Sequence, residues 1–285
     1  MLRIAVQSKG RLFEETMDLL KEAGIKLPAG KRTLFVASTT FPVELLFLRD
    51  DDIPQAVADG VTDVGIIGEN EFVEKKQNSE IIRRLGFSKC RLSLAIPKEK
   101  EEEYQNLSWF ARKKIATSYP VILSDFLKKN AIKAEIHLIR GSVEIAPAIG
   151  LADAVFDIVS SGSTLVSNHL KEVETVMHSE AVLIGNRNLN KEKRETLREL
   201  IFRINAVQAA EDKKYILLNV PNDKLARILS ILPGIKSPTV LPLAQEGWSS
   251  VHSVIEEKYF WEIIGKLKTG GAEGILIIPI EKMIL

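Results

Sequence analysis

Cysteine is almost missing from this chain: Cys90 is the only one in 285 residues. That excludes an intramolecular disulfide and a cysteine cluster for zinc. Cys90 lies in the apolar run CRLSLAI, where a small core residue is expected rather than a nucleophile. Net charge is almost missing too, since 39 basic residues face 38 acidic ones and leave +1. No overall field draws the molecule to nucleic acid or to a membrane, so a polyanionic ligand has to be met by local charge. No apolar run spans a bilayer, and MLRIAVQSKG enters a strand without the basic region and apolar core of an export signal. A cytoplasmic protein is expected. Low-complexity stretches and short-period repeats are absent as well.

What is present is an alternation of short apolar strands with helices, over a length that holds two or three domains. Leu2 to Val6 reads as a strand, QSKGR as a loop, and a helix follows with apolar positions at Leu12, Phe13, Leu19, Leu20 and Ala23. Lys9, Gly10 and Arg11 therefore sit at a strand's carboxyl end, the edge at which open α/β sheets bind ligands, and two cations beside a glycine suit an anion there. Strands TLFVA and VELLFLR come next. Arg49 leaves the second, placed either to reach a phosphate or base or to pair with the three aspartates that follow. Asp52 or a neighbour is expected to cap the next helix, with Pro54 in its first turn. VTDVGIIGENEFVE gives another strand, followed by Gly68, Glu69 and Asn70. KKIATSYP ends a strand at Thr117, Ser118 and Tyr119, and Pro120 opens the helix VILSDFLKKN. His137, in the strand AEIHLIR, is expected to be packed or surface-facing rather than catalytic.

The most informative stretch runs from Glu144 to Leu165, EIAPAIGLADAVFDIVSSGSTL, and reads as helix, strand, loop, helix. Ser142 is the expected N-cap and Glu144 falls in the first helical turn. In AVFDIV, Ala154, Phe156 and Ile158 face one way and Val155 and Asp157 the other, which puts a carboxylate near the strand's carboxyl end. Asp153 is on the order of 13 Å away at about 3.3 Å per residue, so helix termination or strand entry is its expected role. Ser160, Ser161, Gly162, Ser163 and Thr164 follow. Small residues, hydroxyls and peptide N–H groups before a helix suit a phosphate, and they also suit plain N-cap chemistry.

The two α/β lobes are expected at 1–89 and 90–180, with 181–212 packing back on the first. A long helix, Lys191 to Asp212, marks a boundary. Beyond it YILLNV, Asp223 to Leu232, SPTVLPL, SSVHSVI, Phe260 to Leu267 and GILIIPI give βαββαβ over 213–285, the ferredoxin-like order. Ser237 and Thr239, at its second strand, are placed to meet a ligand's amino or carboxylate group.

The central stretch resembles the signature of the ATP phosphoribosyltransferases through Glu144, Gly150, Asp157, Ser161, Gly162, Thr164 and Leu165. Arg49 to Glu74 resembles the same family in its DIP-like helix and D-x-G-I-x-G turn, although Asn70 stands where some members carry Asp. The ending IPIEKMIL resembles the family's long form. The resemblance implies a periplasmic-binding-protein-like catalytic core with an ACT-like C-terminal domain that binds histidine as feedback inhibitor, and a hexamer built from dimers. It implies transfer of the phosphoribosyl group of phosphoribosyl pyrophosphate (PRPP) to N1 of ATP, with Mg2+ assisting and its ligands unspecified. In that reading Lys9, Arg49, Glu144 and Asp157 serve catalysis, and Ser160, Ser161, Gly162, Ser163, Thr164 and Leu165 hold PRPP. Gly10, Arg11, Glu69 and Tyr119 meet ATP, and Ser237 and Thr239 meet the effector. Two rival readings are a two-lobed solute- or effector-binding protein without chemistry and a catalytically silent regulatory subunit.

Overall fold

The computed structural model describes residues 1–28, 34–232 and 237–284, so of the expected elements only Thr33 of TLFVA and the terminal Leu285 lie outside the described residues. The chain forms two compact units, Met1–Asp18 with Ile25–Leu197, and Leu19–Gly24 with Arg198–Leu285.

The larger unit holds two sheets. Strands β1 (Leu2–Gln7), β2 (Phe35–Ala37), β3 (Val43–Leu48), β4 (Val64–Gly68) and β5 (Glu80–Arg84) belong to the first, with helices α1 (Arg11–Glu22), α2 (Ile53–Ala58) and α3 (Glu69–Lys75) between them. The second contains β6 (Cys90–Pro97), β7 (Lys114–Thr117), helix α4 (Pro120–Lys129), β8 (Glu135–Leu138), β9 (Ala154–Val159), helix α5 (Ser163–Ser167) and β10 (Leu170–Ser179). The chain then returns to the first sheet as β11 (Ala181–Gly185), which inserts between β4 and β5 in the order β2-β3-β1-β4-β11-β5. The second sheet runs β10-β6-β9-β7-β8.

Strands β3, β1 and β4 are mutually parallel, as are β8, β7 and β9, so each sheet gathers several carboxyl ends on one edge. Burial explains the continuous apolar runs. All five residues of β11 and the first four of β4 are buried, as expected for strands covered on both faces.

Three local expectations change. The Glu144 segment forms one 3-10 turn, Val143–Ile145, rather than an α-helix. Pro147 lacks an N–H and the run to Gly150 is too short to nucleate a helix. Ser142, at φ +50, makes no side-chain cap. Asp52 also makes none, because Asp50–Asp52 coil into their own 3-10 turn ahead of α2.

The smaller unit contains most of helix α6 (Lys191–Ala210), then β12 (Lys213–Pro221), α7 (Leu225–Ile231), β13 (Thr239–Pro242), β14 (Trp248–Glu256), α8 (Phe260–Thr269) and β15 (Glu273–Pro279). Its sheet is antiparallel in the order β13-β14-β12-β15, the split βαβ arrangement of ferredoxin-like folds. Ile216, Leu218, Val220, Val251 and Ile255 bury one face against Ile228, Ile263 and Leu267 of the helices.

Candidate active site

Alternation along β9 sends Phe156 into the core of the second sheet and leaves Asp157 half-buried at the carboxyl edge. Glu144, Asp157, Ser160, Ser161, Gly162, Thr164 and Leu165 line one pocket of about 140 Å³. Burial, with a further push from the Glu144 charge, raises Asp157 to about 6, while the Ile158 N–H donating to its carboxylate at 2.8 Å works against the shift. The group is thus ionised at neutral pH yet held close to its titration range. Asp153 lies just ahead of β9 and accepts the Lys114 N–H at 2.8 Å, which ties the entry of β9 to β7.

The turn after β9 is shaped by Gly162, whose φ of +83 is costly for a side chain, whereas a Cβ there would meet nothing closer than 3.9 Å. Backbone conformation, and not space, demands the glycine. The Ser163 N–H and Ser163 hydroxyl both meet the Ser161 hydroxyl, at 3.3 and 2.9 Å. Helix α5 has only 5 residues, so the loop's N–H groups and hydroxyls matter here more than any helix dipole.

Two arginines hold the first residue of this loop. Arg11 donates to the Ser160 hydroxyl at 3.0 Å and to the Lys89 carbonyl at 3.2 Å, reaching from the first sheet's edge to the second. Arg91 donates to the Ser160 carbonyl at 3.2 Å while gripping both oxygens of Glu172 at 2.5 Å. Arg91 holds the Glu172 carboxyl below its usual range. Sequence reasoning missed Arg91, which reads only as the second residue of a strand.

Lys9 and Gly10 are exposed at the end of β1. Arg49 is exposed after β3 and, among the described residues, pairs with none of Asp50, Asp51 and Asp52, so its guanidinium faces solvent at the carboxyl end of that strand. Glu69, expected at the nucleotide, has its carboxylate held by Arg84. Tyr119 is 8 % exposed, and its hydroxyl lies in a buried cluster with Glu71 and with Asn70, whose Nδ2 is 3.3 Å away. Asn70 is held in turn by Ser179, which accepts its N–H at 3.0 Å and donates to its Oδ1 at 2.8 Å. A Cβ at Gly68 would fall 2.3 Å from that Oδ1, so this turn needs a glycine for room. Cys90 is half-buried and burial pushes its thiol up, in keeping with an inert role.

Comparison with known proteins places this geometry. A family model described as ATP phosphoribosyltransferase matches residues 49–206, and one described as HisG, C-terminal domain, matches 210–282. The chain belongs to the ATP phosphoribosyltransferase family. It is 71 % identical, over the full length of both chains, to the ATP phosphoribosyltransferase of Bacteroides thetaiotaomicron. Identity to that of Cytophaga hutchinsonii is 57 %, covering 99 % of this chain and 98 % of the other. Among solved structures, the ATP phosphoribosyl transferase (HisG:HisZ) complex from Thermotoga maritima aligns with a TM-score of 0.61 at 25 % identity, over 72 % of this chain and 98 % of that one. The substrate binding protein of an amino acid ABC transporter aligns with a TM-score of 0.50 at 10 % identity, over 74 % of this chain and 94 % of that one, a likeness of fold alone. The core is therefore a transferase built on a periplasmic-binding-protein-like fold, and the family's first step of histidine biosynthesis is its setting. Among the described residues no helix is long and apolar enough to cross a membrane.

In the smaller unit, Thr239 is exposed on β13 and pairs in register with His252 of β14. His252 Nδ1 lies 2.7 Å from the Tyr215 hydroxyl and Nε2 lies 3.0 Å from the Ser250 hydroxyl. Ser237 is exposed just ahead of β13. His252 was not legible as a candidate, because its neighbour across the sheet depends on register.

Proposed function

We propose that this chain transfers the 5-phosphoribosyl group of PRPP to N1 of ATP, releasing pyrophosphate and giving N1-(5-phosphoribosyl)-ATP. The observation that carries the reading is the single pocket shared by Glu144, Asp157 and the Ser160 to Leu165 loop. The loop's N–H groups and hydroxyls suit the 5-phosphate, and the two carboxylates suit the ribose hydroxyls beside it. As the bond from C1 to pyrophosphate breaks, positive charge builds on the ribose, and an ionised Asp157 at close range stabilises it. Adenine N1 carries its own lone pair, so alignment matters more than a general base. Lys9, Arg11 and Arg49, at the edges of β1 and β3, suit the phosphates of ATP and the departing pyrophosphate.

The residues present fit magnesium. Among the described residues no group of three carboxylate, histidine or cysteine side chains converges, and Asp157 and Glu144 beside a phosphate loop are the kind of sparse oxygen donors that Mg2+ uses together with substrate oxygens and water. When bound, the ion neutralises pyrophosphate oxygens.

The same reading assigns catalysis to residues 1–212, as lobes 1–89 with 181–212 and 90–180, and histidine feedback to 213–285. A cytoplasmic homo-oligomer of dimers, up to a hexamer, belongs with it. Incubation of the protein with ATP, PRPP and Mg2+, following pyrophosphate release and the mass of the product, tests the reaction. Binding of both substrates without product favours the two-lobed regulatory alternative.

A further inference from the structure

The chain passes between the two sheets of the larger unit twice, at residues 85–89 and at Glu180. These crossings lie side by side, with Leu85 N–H donating to the Ala181 carbonyl at 2.8 Å and Ala181 N–H to the Phe87 carbonyl at 2.9 Å. Two adjacent crossings make a hinge, and something else has to set its angle. Helix α3 starts beside the hinge, its Glu69 N–H bonded to the Glu180 carbonyl at 2.9 Å. One turn later it reaches the other sheet's helix α4. Glu74 Oε1 accepts the Val121 N–H at 2.9 Å and Oε2 accepts the Ile122 N–H at 3.0 Å.

This is an N-cap supplied from another part of the chain. The cap residue Tyr119 makes no side-chain cap bond, Pro120 has no N–H, and the Leu123 N–H goes to the Tyr119 carbonyl at 3.1 Å. Val121 and Ile122 therefore carry the first orphan donors of α4, and one carboxylate takes both. Glu74 is only 8 % exposed, so water does not screen the contact. The neighbouring pair of Lys76 and Asp125, at 2.7 Å, is exposed on both sides and weaker for that reason.

We propose that Glu74 is a positioning residue of the transferase: by capping α4 from the first lobe it fixes the angle at which Lys9, Arg11 and Arg49 face the phosphate loop and Asp157. The inference rests on the transferase reading above. It predicts a specific pattern, because loss of the cap leaves each lobe's own binding surface intact while changing the gap between them.

The test uses the full-length protein and two variants, Glu74→Ala and the isosteric Glu74→Gln, which keeps one acceptor. Expected for Glu74→Ala are a kcat lower by about 10- to 100-fold, a calorimetric Kd for PRPP alone within about twofold of wild type, and faster hydrogen exchange at Val121 and Ile122. Glu74→Gln falls between the two proteins on kcat and exchange, and carries the decision if the alanine variant does not fold. Faster exchange with unchanged kcat reduces Glu74 to a structural cap and overturns the proposal. PRPP affinity falling as far as kcat overturns it too, since the effect then runs through the loop. Should wild type bind both substrates yet form no product, the transferase reading fails by itself, and unchanged exchange in Glu74→Ala shows separately that the cap fixes nothing.

Discussion

The Tyr119 hydroxyl, at the carboxyl end of β7, and the Glu71 carboxylate on α3 share one buried amide, that of Asn70, so a phenol beside the second sheet is clustered with an acid beside the first. Asn70 Nδ2 lies against both, 3.3 Å from the hydroxyl and 3.5 Å from the carboxylate. Burial, then the Asp50 charge, raises Glu71 to about 7, with Asp51 adding a little and Lys75 and the Tyr119 hydrogen bond pulling the other way. Burial, then the charges of Glu71, Asp157 and Asp50, push Tyr119 well above its ordinary value, so the phenol stays protonated and Glu71 is the group that titrates.

Glu71 binds its proton more tightly folded than unfolded, where its value is 4.5. Its neutral form therefore favours the folded state at low pH, and that contribution is lost as pH rises from about 4.5 to about 7. At about 1.4 kcal/mol per unit the loss is on the order of 3 kcal/mol. Denaturant melts of wild type and Glu71→Gln at a series of pH values should diverge over that window, with the variant gaining relative stability towards pH 8. Parallel curves would count against a shifted Glu71.

Gly162→Ala should weaken PRPP binding by about tenfold while costing roughly 1 to 2 kcal/mol of stability, because a Cβ at φ +83 strains the loop without meeting a neighbour. Calorimetric titration of the folded variant decides it, and wild-type affinity removes the loop from the phosphate site.

Asp157→Asn should lower kcat by about 100-fold with PRPP affinity changed much less, since the lost charge matters most when the ribose becomes cationic. Asp153→Asn should keep near-normal turnover, as its carboxylate only anchors the Lys114 N–H. Wild-type kcat itself should decline as pH falls through about 6, where Asp157 takes up a proton. Equal losses in the two folded variants would sink the assignment.

Thr239→Ala and His252→Ala should blunt inhibition by added histidine without changing the KM for PRPP, with His252→Ala the stronger because it breaks the chain from Tyr215 to Ser250. Histidine competing directly with ATP in these variants, at undiminished potency, would move the effector site into the larger unit.

Much was fixed by the order of residues alone. The apolar runs named most of the strands, Gly162 and Pro120 marked where elements start or turn, and the rise per residue along AVFDIV separated Asp157 from Asp153. Such signals are local, and a chain of L-residues reports them through periodicity and backbone preference. The tertiary structure decided what depends on distant neighbours. It turned Glu69 towards Arg84, buried Tyr119 against Glu71, brought Arg91 beneath Ser160 and set Glu74 on the bare end of α4. Each of these pairs two residues from different elements, and Glu74 shows why no window of sequence reveals them. On its own helix it reads as one more acidic side chain, and only the packing of α3 on α4 gives it two N–H groups to hold.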